Sequence, residues 1–448
     1  MKKYEAVVIG AGPGGYEAAL ELAKGGVKTL LIDRYKERIG GTCLNEGCIS
    51  AKAYLQSAGY ISKAPYFGGC GVDLLFKGLQ MGQLAAKTAA LKDELRSGVV
   101  WRLEQAEVEL LYGSAAFVDA NTLEVGGGTV AFEKCIIATG SAVREVPQLP
   151  LDGRRIVSST ELFALDALPA SIAIVGGGPI GCEFATFFSA FGVEVTLIAR
   201  GPQLLSGEDE DVAKALLRSF KKRSIRVMTS TAVQKAELTE TGVQLLVKGE
   251  SEELIACETV LCAAGRTPYT EGLRLENAGV ACSEKGFVEV NGSFQTAQPH
   301  IYAVGDCIDT PAYAHTAYAE ARIAAQNIIG GGSAANSHIS PSTIFTDPAV
   351  ASCGVKEKEA KAEGLAVEVR KAFFKANAKA KIEGDDSGFA KIVVSSESGV
   401  ILGAAVVGAE ATEIIHEMVL AVEMKLTAEA LKEMIHAHPS VSEIFRYL

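Results

Sequence analysis

The 448-residue sequence has few cysteines, no excess of positive charge and no compositionally biased tract. Ten cysteines are too few for a disulfide scaffold at this length, and no secretory leader precedes the first apolar run, so we expect a cytoplasmic protein. The net charge of −11 disfavours nucleic-acid binding, because a phosphate footprint requires clustered lysine and arginine. With 48% hydrophobic and 22% charged residues, the chain should fold throughout as a globular protein, in about three domains.

A long uncharged run is also scarce. The nearest approach to a membrane span is 171–199, where Glu183 and Glu194 are the only charged residues. Its glycine cluster and the β-branched runs on both sides predict a buried strand, helix and strand instead of one lipid-facing helix. We therefore expect no membrane-spanning segment.

The chain opens with the pattern of a dinucleotide-binding unit. In "YEAVVIGAGPGGYEAALELAKGGVKTLLID", an apolar run leads to Gly10, Gly12 and Gly15, then to a helical segment and a second apolar run ending at Asp33. The first two glycines allow a tight turn and close approach to a pyrophosphate, whose charge the helix N-terminus stabilises, while the acid accepts from a ribose hydroxyl. The strand, helix and acid make this pattern much more specific than the glycines alone.

The pattern occurs a second time in "SIAIVGGGPIGCEFATFFSAFGVEVTLIAR", with Gly176, Gly178 and Gly181 between a strand and a helix. Two such units in one chain predict two redox cofactors that contain nucleotides. Between and after them, "CIIATGS", "CAAGRTP" and "IYAVGD" each indicate a strand that runs into a turn, the last ending at Asp306. Ligands of open α/β sheets bind at such positions.

A small, uncharged segment at 330–337 is the best candidate for a linker. Beyond it, "SGFAKIVVSSESGVILGAAVVG" predicts a strand, a turn and a strand, and two helical stretches follow. This order indicates a C-terminal α+β domain.

Cys43 and Cys48 in "GGTCLNEGC" are five positions apart. Regular structure keeps residues at this spacing apart, so a disulfide requires the chain to double back, which the neighbouring glycines permit. Cys257 and Cys262 in "CETVLC" have the same spacing in a β-branched run that predicts a strand, and we expect their side chains on opposite faces. Spacing alone leaves the pairing of Cys43 with Cys48 open.

The combination resembles the FAD-dependent pyridine nucleotide-disulfide oxidoreductases, and within them the dihydrolipoyl dehydrogenases, over essentially the whole chain. "GGTCLNEGC" is similar to the family's redox-active disulfide, "ATGS" and "IYAVGD" to its FAD-binding turns, and "PSTIFTDPAVASCG" to the entry of its dimerisation domain. "HAHPSVSE" is similar to its C-terminal catalytic segment. This last motif discriminates best, because mercuric reductases carry a vicinal cysteine pair there instead, and this chain ends "SEIFRYL".

The resemblance implies an α/β fold with two Rossmann-like dinucleotide-binding domains and a C-terminal α+β dimerisation domain. The expected divisions are an FAD-binding domain at 1–146, an NAD(P)-binding domain at 147–266, a central domain completing the FAD site at 267–335, and a dimerisation domain at 336–448. The implied cofactors are FAD and NAD, with NADP as the alternative, and no metal is expected.

Carried over residue by residue, the resemblance implies active sites shared by two subunits of a homodimer. Cys48 would lie against the flavin and Cys43 would exchange with substrate, while His438, oriented by Glu443, would be the acid and base. A thiol with a pKa of about 8.5 is only about 3% ionised at pH 7, so its attack needs a proton acceptor such as histidine. The residues implied in cofactor binding are Gly10, Gly12, Gly14, Gly15, Asp33, Gly41, Thr42, Lys52, Ala115, Thr139, Gly140, Ser141, Asp306, Ala314, His315, Gly176, Gly178, Gly181, Glu183, Arg200 and Gly265.

The implied activity is oxidation of dihydrolipoamide on lipoyl-bearing subunits of 2-oxo acid dehydrogenase or glycine-cleavage complexes, with electrons passing through the disulfide and FAD to NAD. The alternative is an NADPH-dependent disulfide or mercuric-type reductase of the same architecture. A third hypothesis, a flavin-dependent binding protein with a silent site, is disfavoured because Cys43, Cys48, His438 and Glu443 are all present.

Two places depart from the family pattern. Ser50 and Ala51 replace the usual Pro-Ser after the second cysteine, which predicts a less rigid helix start. At the end of the second nucleotide strand, Ala199 stands where NAD-using relatives have an acid, and Arg200 offers a 2′-phosphate a charge-assisted hydrogen bond of about 1.5 to 3 kcal/mol. Gly181 favours NAD instead, so these signals conflict and we expect NAD.

Overall fold

The structure is a computed structural model that describes residues 2–332 and 334–448. Ser333, within the predicted linker at 330–337, lies outside the described residues. The α-helices in the described residues are α1 (Pro13–Lys24), α2 (Gly41–Glu46), α3 (Cys48–Gly69), α4 (Met81–Gln105), α5 (Ser159–Leu162), α6 (Pro179–Ala190), α7 (Glu210–Lys222), α8 (Ala314–Gly330), α9 (Glu357–Ala362), α10 (Ala378–Ile382), α11 (Ala411–Glu423) and α12 (Ala428–Glu433). The strands are β1 (Lys2–Ile9), β2 (Thr29–Asp33), β3 (Glu109–Tyr112), β4 (Ala115–Asp119), β5 (Thr122–Val125), β6 (Gly128–Ile137), β7 (Ser141–Val143), β8 (Ile156–Ser158), β9 (Ser171–Val175), β10 (Glu194–Ile198), β11 (Arg226–Met228), β12 (Ala232–Leu238), β13 (Val243–Lys248), β14 (Glu252–Cys257), β15 (Thr259–Cys262), β16 (Arg266–Pro268), β17 (Ile301–Ala303), β18 (Ser342–Ile344), β19 (Val350–Gly354), β20 (Val367–Phe373), β21 (Phe389–Ser395) and β22 (Ile401–Val407).

One compact unit comprises the described residues of 1–50, 85–144 and 265–338. Its main sheet has the order β3-β2-β1-β6-β5-β4, and β17 pairs in parallel with the end of β6. Strand β1 lies between β2 and β6 and is parallel to both, and its Val7 and Val8 are completely buried. A central parallel strand is apolar on both faces because packed elements cover both, which explains the continuous apolar run at the start of the sequence.

The second unit comprises residues 51–84, 145–264 and 339–448. It contains a parallel sheet of order β11-β10-β9-β15-β8 and a small antiparallel sheet, β12-β13-β14. A third sheet, β18-β19-β22-β21-β20, is antiparallel, and α11 packs on its strands β19 and β22. The parallel strands β3-β2-β1-β6 of the first sheet, the parallel sheet of the second unit and the α+β C-terminal part agree with the predicted fold class, whereas the finer division into four domains stays a prediction.

The expectation of a single strand through Cys257 and Cys262 is wrong. Cys257 ends β14 and Cys262 ends β15, and these strands belong to different sheets. The chain turns at Glu258, whose N–H donates to Ser171 Oγ at 3.1 Å and whose carboxylate accepts from the Ala170 N–H at 2.7 Å. These bonds take Glu258 out of both ladders.

The run at 171–199 is folded as predicted, into β9, α6 and β10. None of the helices formed by the described residues is long and apolar enough to cross a membrane.

A nearly completely buried lysine connects three carboxylates in the second unit. The Nζ of Lys391, on β21, is 2.8 Å from oxygens of Asp209 and Asp211 and 3.2 Å from one of Glu357, and its side chain is 1% exposed. Burial opposes the charge on Lys391, but its hydrogen bonds to the two aspartates outweigh burial and raise its pKa. We call these four residues the Lys391 network.

Candidate functional site

The first glycine turn joins β1 to α1 with almost no space between backbones. A Cβ on Gly10, whose φ is +101°, would lie 2.4 Å from the carbonyl oxygen of Ala138. A Cβ on Gly15 would lie 1.7 Å from the carbonyl oxygen of Gly10. Only glycine fits at these two positions, which explains why the helix can begin so close to the strand.

The open end of α1 offers a site for an anion. The helix begins at Pro13, and no side chain among the described residues caps it. At the end of β2, Asp33 accepts from the Ala11 N–H at 2.7 Å and from the Tyr35 N–H at 3.2 Å, so its carboxylate is fixed beside the same turn. Free N–H groups with an acid nearby fit the pyrophosphate and ribose of a dinucleotide.

The segment that leads into the cysteines lies directly on this turn. The Gly40 N–H donates to the Ala11 carbonyl at 2.8 Å, and a Cβ on Gly41 would be only 2.6 Å from the Cα of Gly12. Gly40 and Gly41 have φ values of +94° and +62°, which favour glycine. The glycines before Cys43 therefore bring the cysteine segment against the first nucleotide turn.

The helical structure is interrupted between the two cysteines. Cys43 lies in α2, Cys48 is the first residue of α3, and Gly47 interrupts the helices with φ −133° and ψ −115°. A Cβ on Gly47 would be 2.9 Å from the Thr42 carbonyl oxygen and 3.3 Å from the Cα of Cys43. These contacts place Gly47, the neighbour of Cys48, against Thr42 and Cys43, with Cys43 half-buried and Cys48 exposed, and the pairing of the two cysteines stays a prediction.

The two residues that depart from the family pattern after Cys48 both lie buried within α3. The hydroxyl of Ser50 has no hydrogen-bond partner among the described residues. Their effect on the rigidity of the helix start stays a prediction.

Hydrogen bonds link the predicted FAD residues Ser141 and Asp306 to each other and to Arg266. The Ser141 hydroxyl donates to Asp306 Oδ2 at 2.6 Å, and Arg266 donates through Nε to Ser141 Oγ at 2.7 Å and through Nη2 to its carbonyl at 2.6 Å. Burial lowers the pKa of Arg266, an effect that the charge of Asp306 opposes. Sequence reasoning missed Arg266, although it follows the predicted Gly265 in "CAAGRTP".

A buried acid also binds the turn that carries Asp306. The Gly305 N–H donates to Glu320 Oε2 at 2.6 Å, and Glu320 is completely buried on α8. Burial raises the pKa of Glu320. The turn that carries Asp306 is therefore fixed on both sides.

The other residues that the resemblance assigns to FAD also lie in the first unit, and their role there stays a prediction. Thr139 donates from its hydroxyl to the Tyr269 carbonyl at 2.6 Å, and Gly140 follows with φ +72°. The remaining ones are Gly14 in α1, Thr42 in α2, Ala115 at the start of β4, and Ala314 with His315 at the start of α8.

The second nucleotide turn, between β9 and α6, repeats the packing of the first. A Cβ on Gly176 would lie 2.1 Å from the Ala263 carbonyl oxygen, and one on Gly181 would lie 1.9 Å from the carbonyl oxygen of Gly176. Gly178 faces open space instead, since nothing lies within 4 Å of a Cβ there. This opening at an uncapped helix start fits a second pyrophosphate.

Asp33, the acid beside the first nucleotide turn, has no counterpart beside the second, where Ala199 follows β10. Ala199 is 2% exposed, and its Cβ would be 2.7 Å from a Cβ placed on Gly177. Arg200 is exposed and forms no hydrogen bond or ion pair with the rest of the chain that the structure describes. Its guanidinium is available to a ligand.

Lys52 and Glu183 form an ion pair in the second unit. The Lys52 Nζ is 2.9 Å from both carboxylate oxygens of Glu183, which is 4% exposed. Glu183 also accepts from the Phe345 N–H at 3.0 Å, and the Lys52 ammonium lies 4.6 Å from the centre of the Phe345 ring. These contacts fix the position of a largely buried positive charge.

His438 and Glu443 form a second pair in this unit. The Nδ1 of His438 is 2.9 and 3.1 Å from the two oxygens of Glu443, which also accepts from the Ser440 N–H at 3.0 Å. The Ser440 N–H, and after it His438, lower the pKa of Glu443. Glu443 is buried whereas the His438 side chain is 72% exposed, so the histidine presents its ring to the surroundings.

The neighbouring His436 is in a different environment. Its Nε2 is 2.9 Å from Glu417, and its side chain is only 6% exposed. Its burial indicates a structural role.

The sequence profile of the pyridine nucleotide-disulphide oxidoreductases matches residues 4–321, and that of their dimerisation domain matches residues 340–448. The dihydrolipoyl dehydrogenase of Geobacillus stearothermophilus is 37% identical over 98% of this chain and 94% of its own length. That of Thermus scotoductus is 36% identical over 99% and 96%.

Solved structures agree with these relatives. LpdA from Mycobacterium tuberculosis has a TM-score of 0.90 at 28% identity, covering 100% of this chain and 99% of that one. A Cu(II) complex of the HOCl-induced flavoprotein disulfide reductase RclA from Escherichia coli has a TM-score of 0.89 at 27% identity, covering 100% and 98%.

These comparisons confirm the predicted fold class and support FAD and NAD as cofactors, and the dimerisation domain supports a homodimer. The chain belongs to the pyridine nucleotide-disulphide oxidoreductase family.

Proposed function

We propose that the protein is a dihydrolipoyl dehydrogenase, which oxidises dihydrolipoyl groups and passes their electrons through a Cys43–Cys48 disulfide and FAD to NAD. The observation that carries this proposal is the packing of the cysteine segment on the first glycine turn, in a chain that also has the His438–Glu443 pair. Relatives of 35–37% identity bear this name. Its substrates would be lipoyl-bearing subunits of 2-oxo acid dehydrogenase or glycine-cleavage complexes, in the cytoplasm.

The cysteines would act by thiol–disulfide exchange. One substrate thiol loses its proton and attacks Cys43 Sγ, so that the Cys43–Cys48 bond breaks and Cys48 leaves as a thiolate. The second substrate thiol loses its proton and attacks the substrate sulfur of the mixed disulfide, which closes the substrate's disulfide and releases Cys43. Two electrons and two protons have then left the substrate, and the electrons reside on the cysteines.

The position of Cys48 suits a thiolate. Cys48 is the first residue of α3, which continues to Gly69. The N-terminus of a helix carries partial positive charge, so a negative charge on the sulfur is stabilised there.

His438 would accept and return the protons. Because Glu443 accepts a hydrogen bond from Nδ1, the proton of the neutral ring is on Nδ1 and Nε2 is the free base. We assign this histidine to the active site of the partner subunit. Exposed apolar side chains in the same C-terminal region support such an interface, since Leu420, Met424 and Ile435 are 59%, 65% and 99% exposed.

The bound FAD would supply a two-electron carrier between the thiols and the nicotinamide. The chain would hold it through the first glycine turn, through Asp33 and through Asp306. We assign Lys52 and Glu183 to the flavin environment on the family pattern alone. The second glycine turn would hold the nicotinamide nucleotide.

A second candidate is an NADPH-dependent disulfide or metal-ion reductase of the same architecture. Ala199 and the exposed Arg200 favour it, because they remove an acid from the ribose site and add a cation. The likeness to RclA, whose structure is a Cu(II) complex, favours a metal-ion substrate for this candidate.

One set of steady-state assays separates the two candidates. Dihydrolipoamide oxidation is measured with NAD and with NADP, and reduction of small disulfides, Hg(II) and Cu(II) is measured with NADH and NADPH. We expect dihydrolipoamide with NAD to give the highest kcat/KM, and Cys43→Ser to abolish it. Cys70→Ser, which removes an exposed thiol outside the motif, is the control and should retain full activity. Negligible dihydrolipoamide turnover with both nucleotides would refute the proposal.

A further inference from the structure

Asn45 lies between the two cysteines and is 8% exposed. Its Nδ2 donates one hydrogen to the carbonyl of Gly41 at 2.8 Å and shares the other between those of Arg38 and Ile39 at 3.2 Å each. One side chain thus binds the backbone on the far side of Cys43. These bonds connect the segment before Cys43 to the segment after it.

Two cations of α4 bind Asn45. Arg96 donates from Nη2 to Asn45 Oδ1 at 2.7 Å, and Lys92 donates from Nζ to the Asn45 carbonyl at 3.1 Å. Lys92 and Arg96 are four residues apart and so lie on one face of the helix. Asp93 orients Arg96 by accepting from its Nη1 at 2.7 Å.

A further ion pair spans the same segment. The Arg38 guanidinium is 2.7 Å from Glu46 Oε2, two residues before Cys48. Asp93 and Glu46 pair with Arg96 and Arg38, whereas Lys92 forms no ion pair with the residues that the structure describes. The charge of Arg266 also interacts with those of Glu46 and Cys48, so positive charge is in excess around the segment. The Arg96 side chain is 22% exposed, and partial burial reduces the solvent screening of its charge.

We propose that Arg96 and Lys92, acting through Asn45, are positioning residues for the redox-active disulfide. They hold α2 in place while the disulfide opens and closes, and they add positive charge to the segment between the two cysteines. The inference rests on the proposed Cys43–Cys48 chemistry. Both cations bind Asn45, so both act through the segment that carries Cys43.

The chemistry makes such an anchor useful. When the disulfide accepts two electrons, the S–S bond breaks and leaves two separate sulfur atoms, one of which is a thiolate. If α2 could drift, the sulfurs would separate and closure would slow, because closure depends on keeping the reacting atoms close and oriented. A nearby cation favours the thiolate and hence the reduced state.

The test compares holoenzymes with matched charge changes on one helix. Arg96→Gln removes the charge but keeps an amide donor, Arg96→Lys keeps the charge but loses the planar fork, and Lys92→Gln removes the second link. Arg102→Gln is the control, because Arg102 is also on α4 and pairs with Glu17 at 3.9 Å, and among the described residues it forms no hydrogen bond or ion pair with 38–48. The disulfide–dithiol equilibrium is titrated with dithiothreitol, without lipoamide or NAD, so the result does not depend on the physiological substrate.

We expect Arg96→Gln to retain FAD and to be about tenfold harder to reduce, a shift of about 30 mV for a two-electron couple. The pH midpoint of the thiolate-to-flavin absorption should rise in this variant. Arg96→Lys should keep the wild-type reduction equilibrium and pH midpoint. Lys92→Gln should change both in the same direction as Arg96→Gln, by a smaller amount. If Arg96→Gln does not retain FAD, the reduction midpoint and pH profile of Lys92→Gln, compared with those of Arg102→Gln, test the inference instead. Midpoints and pH profiles of Arg96→Gln and Lys92→Gln that match those of Arg102→Gln would overturn the inference.

Discussion

Glu443→Gln should impair catalysis by reversing the tautomer of His438. In the wild type, the Ser440 N–H donates to Glu443 Oε2 at 3.0 Å, and His438 Nδ1 faces both oxygens. The one oxygen of a glutamine is needed by the Ser440 N–H, so the amide nitrogen takes the place of Oε1, 2.9 Å from Nδ1. An amide N–H can only donate, so the ring must carry its proton on Nε2 and cannot accept one there.

The expected loss in kcat is about 10²- to 10⁴-fold, the range for a removed general base or a wrong tautomer. The assay is steady-state oxidation of dihydrolipoamide by NAD across pH, with FAD content and dimer mass measured on each sample. Glu417→Gln is the matched control, because Glu417 makes the same kind of contact, to the buried His436 at 2.9 Å. If folded Glu443→Gln keeps more than half of the wild-type kcat, the assignment of His438 as the base is refuted.

Three further changes test other parts of the structure. Lys391→Met should lower the free energy of unfolding by about 3 to 5 kcal/mol, because it leaves the buried Asp209 without a counter-ion, whereas Asp211 and Glu357 keep Lys371 and Lys361. Chemical denaturation measures this, and Lys432→Met, at an exposed lysine of α12, is the control. In the carboxylates of the Lys391 network, burial raises the pKa but hydrogen bonds from lysines outweigh it and lower the pKa, so their contribution is complete above a pH of about 4.5 and is lost as the pH falls through the lowered values. Urea denaturation across pH should show a larger loss in the wild type than in Lys391→Met, where Lys371 and Lys361 still pair with Asp211 and Glu357. Gly47→Ala should open the cysteine segment, since its Cβ would be 2.9 Å from a carbonyl oxygen, and should slow disulfide closure at least tenfold, whereas Gly59→Ala, with nothing within 4 Å, should not. Ala199→Glu should lower kcat/KM for NADP about tenfold or more relative to NAD, because it places an anion at the ribose 2′ position; an unchanged ratio would show that this residue does not face the ribose.

Local patterns predicted most of the fold that positions the site. The glycine turns, the strands on either side and the carboxylates at the strand ends follow from short-range sterics, and the structure has them where the sequence indicated. The position of the Lys52–Glu183 pair came from a resemblance, since no local rule connects residues 131 positions apart.

The contacts that sequence reasoning missed are those between distant segments. Asn45 and Arg96 are 51 positions apart, and Arg266 and Ser141 are 125 apart, so only the folded chain brings them together. The turn at Glu258 was missed for a related reason. Its hydrogen bonds to residues 170 and 171 outweigh a β-branched run that would otherwise favour one continuous strand.

Anaerobic mixing with dihydrolipoamide in a stopped-flow spectrophotometer tests most directly whether electrons enter through Cys43 and pass to the flavin through Cys48. The account predicts a long-wavelength thiolate-to-flavin absorption in the wild type. It predicts no reaction of Cys43→Ser with the dithiol, although NADH should still reduce its flavin. Flavin reduction by dihydrolipoamide in Cys43→Ser at the wild-type rate would contradict the account.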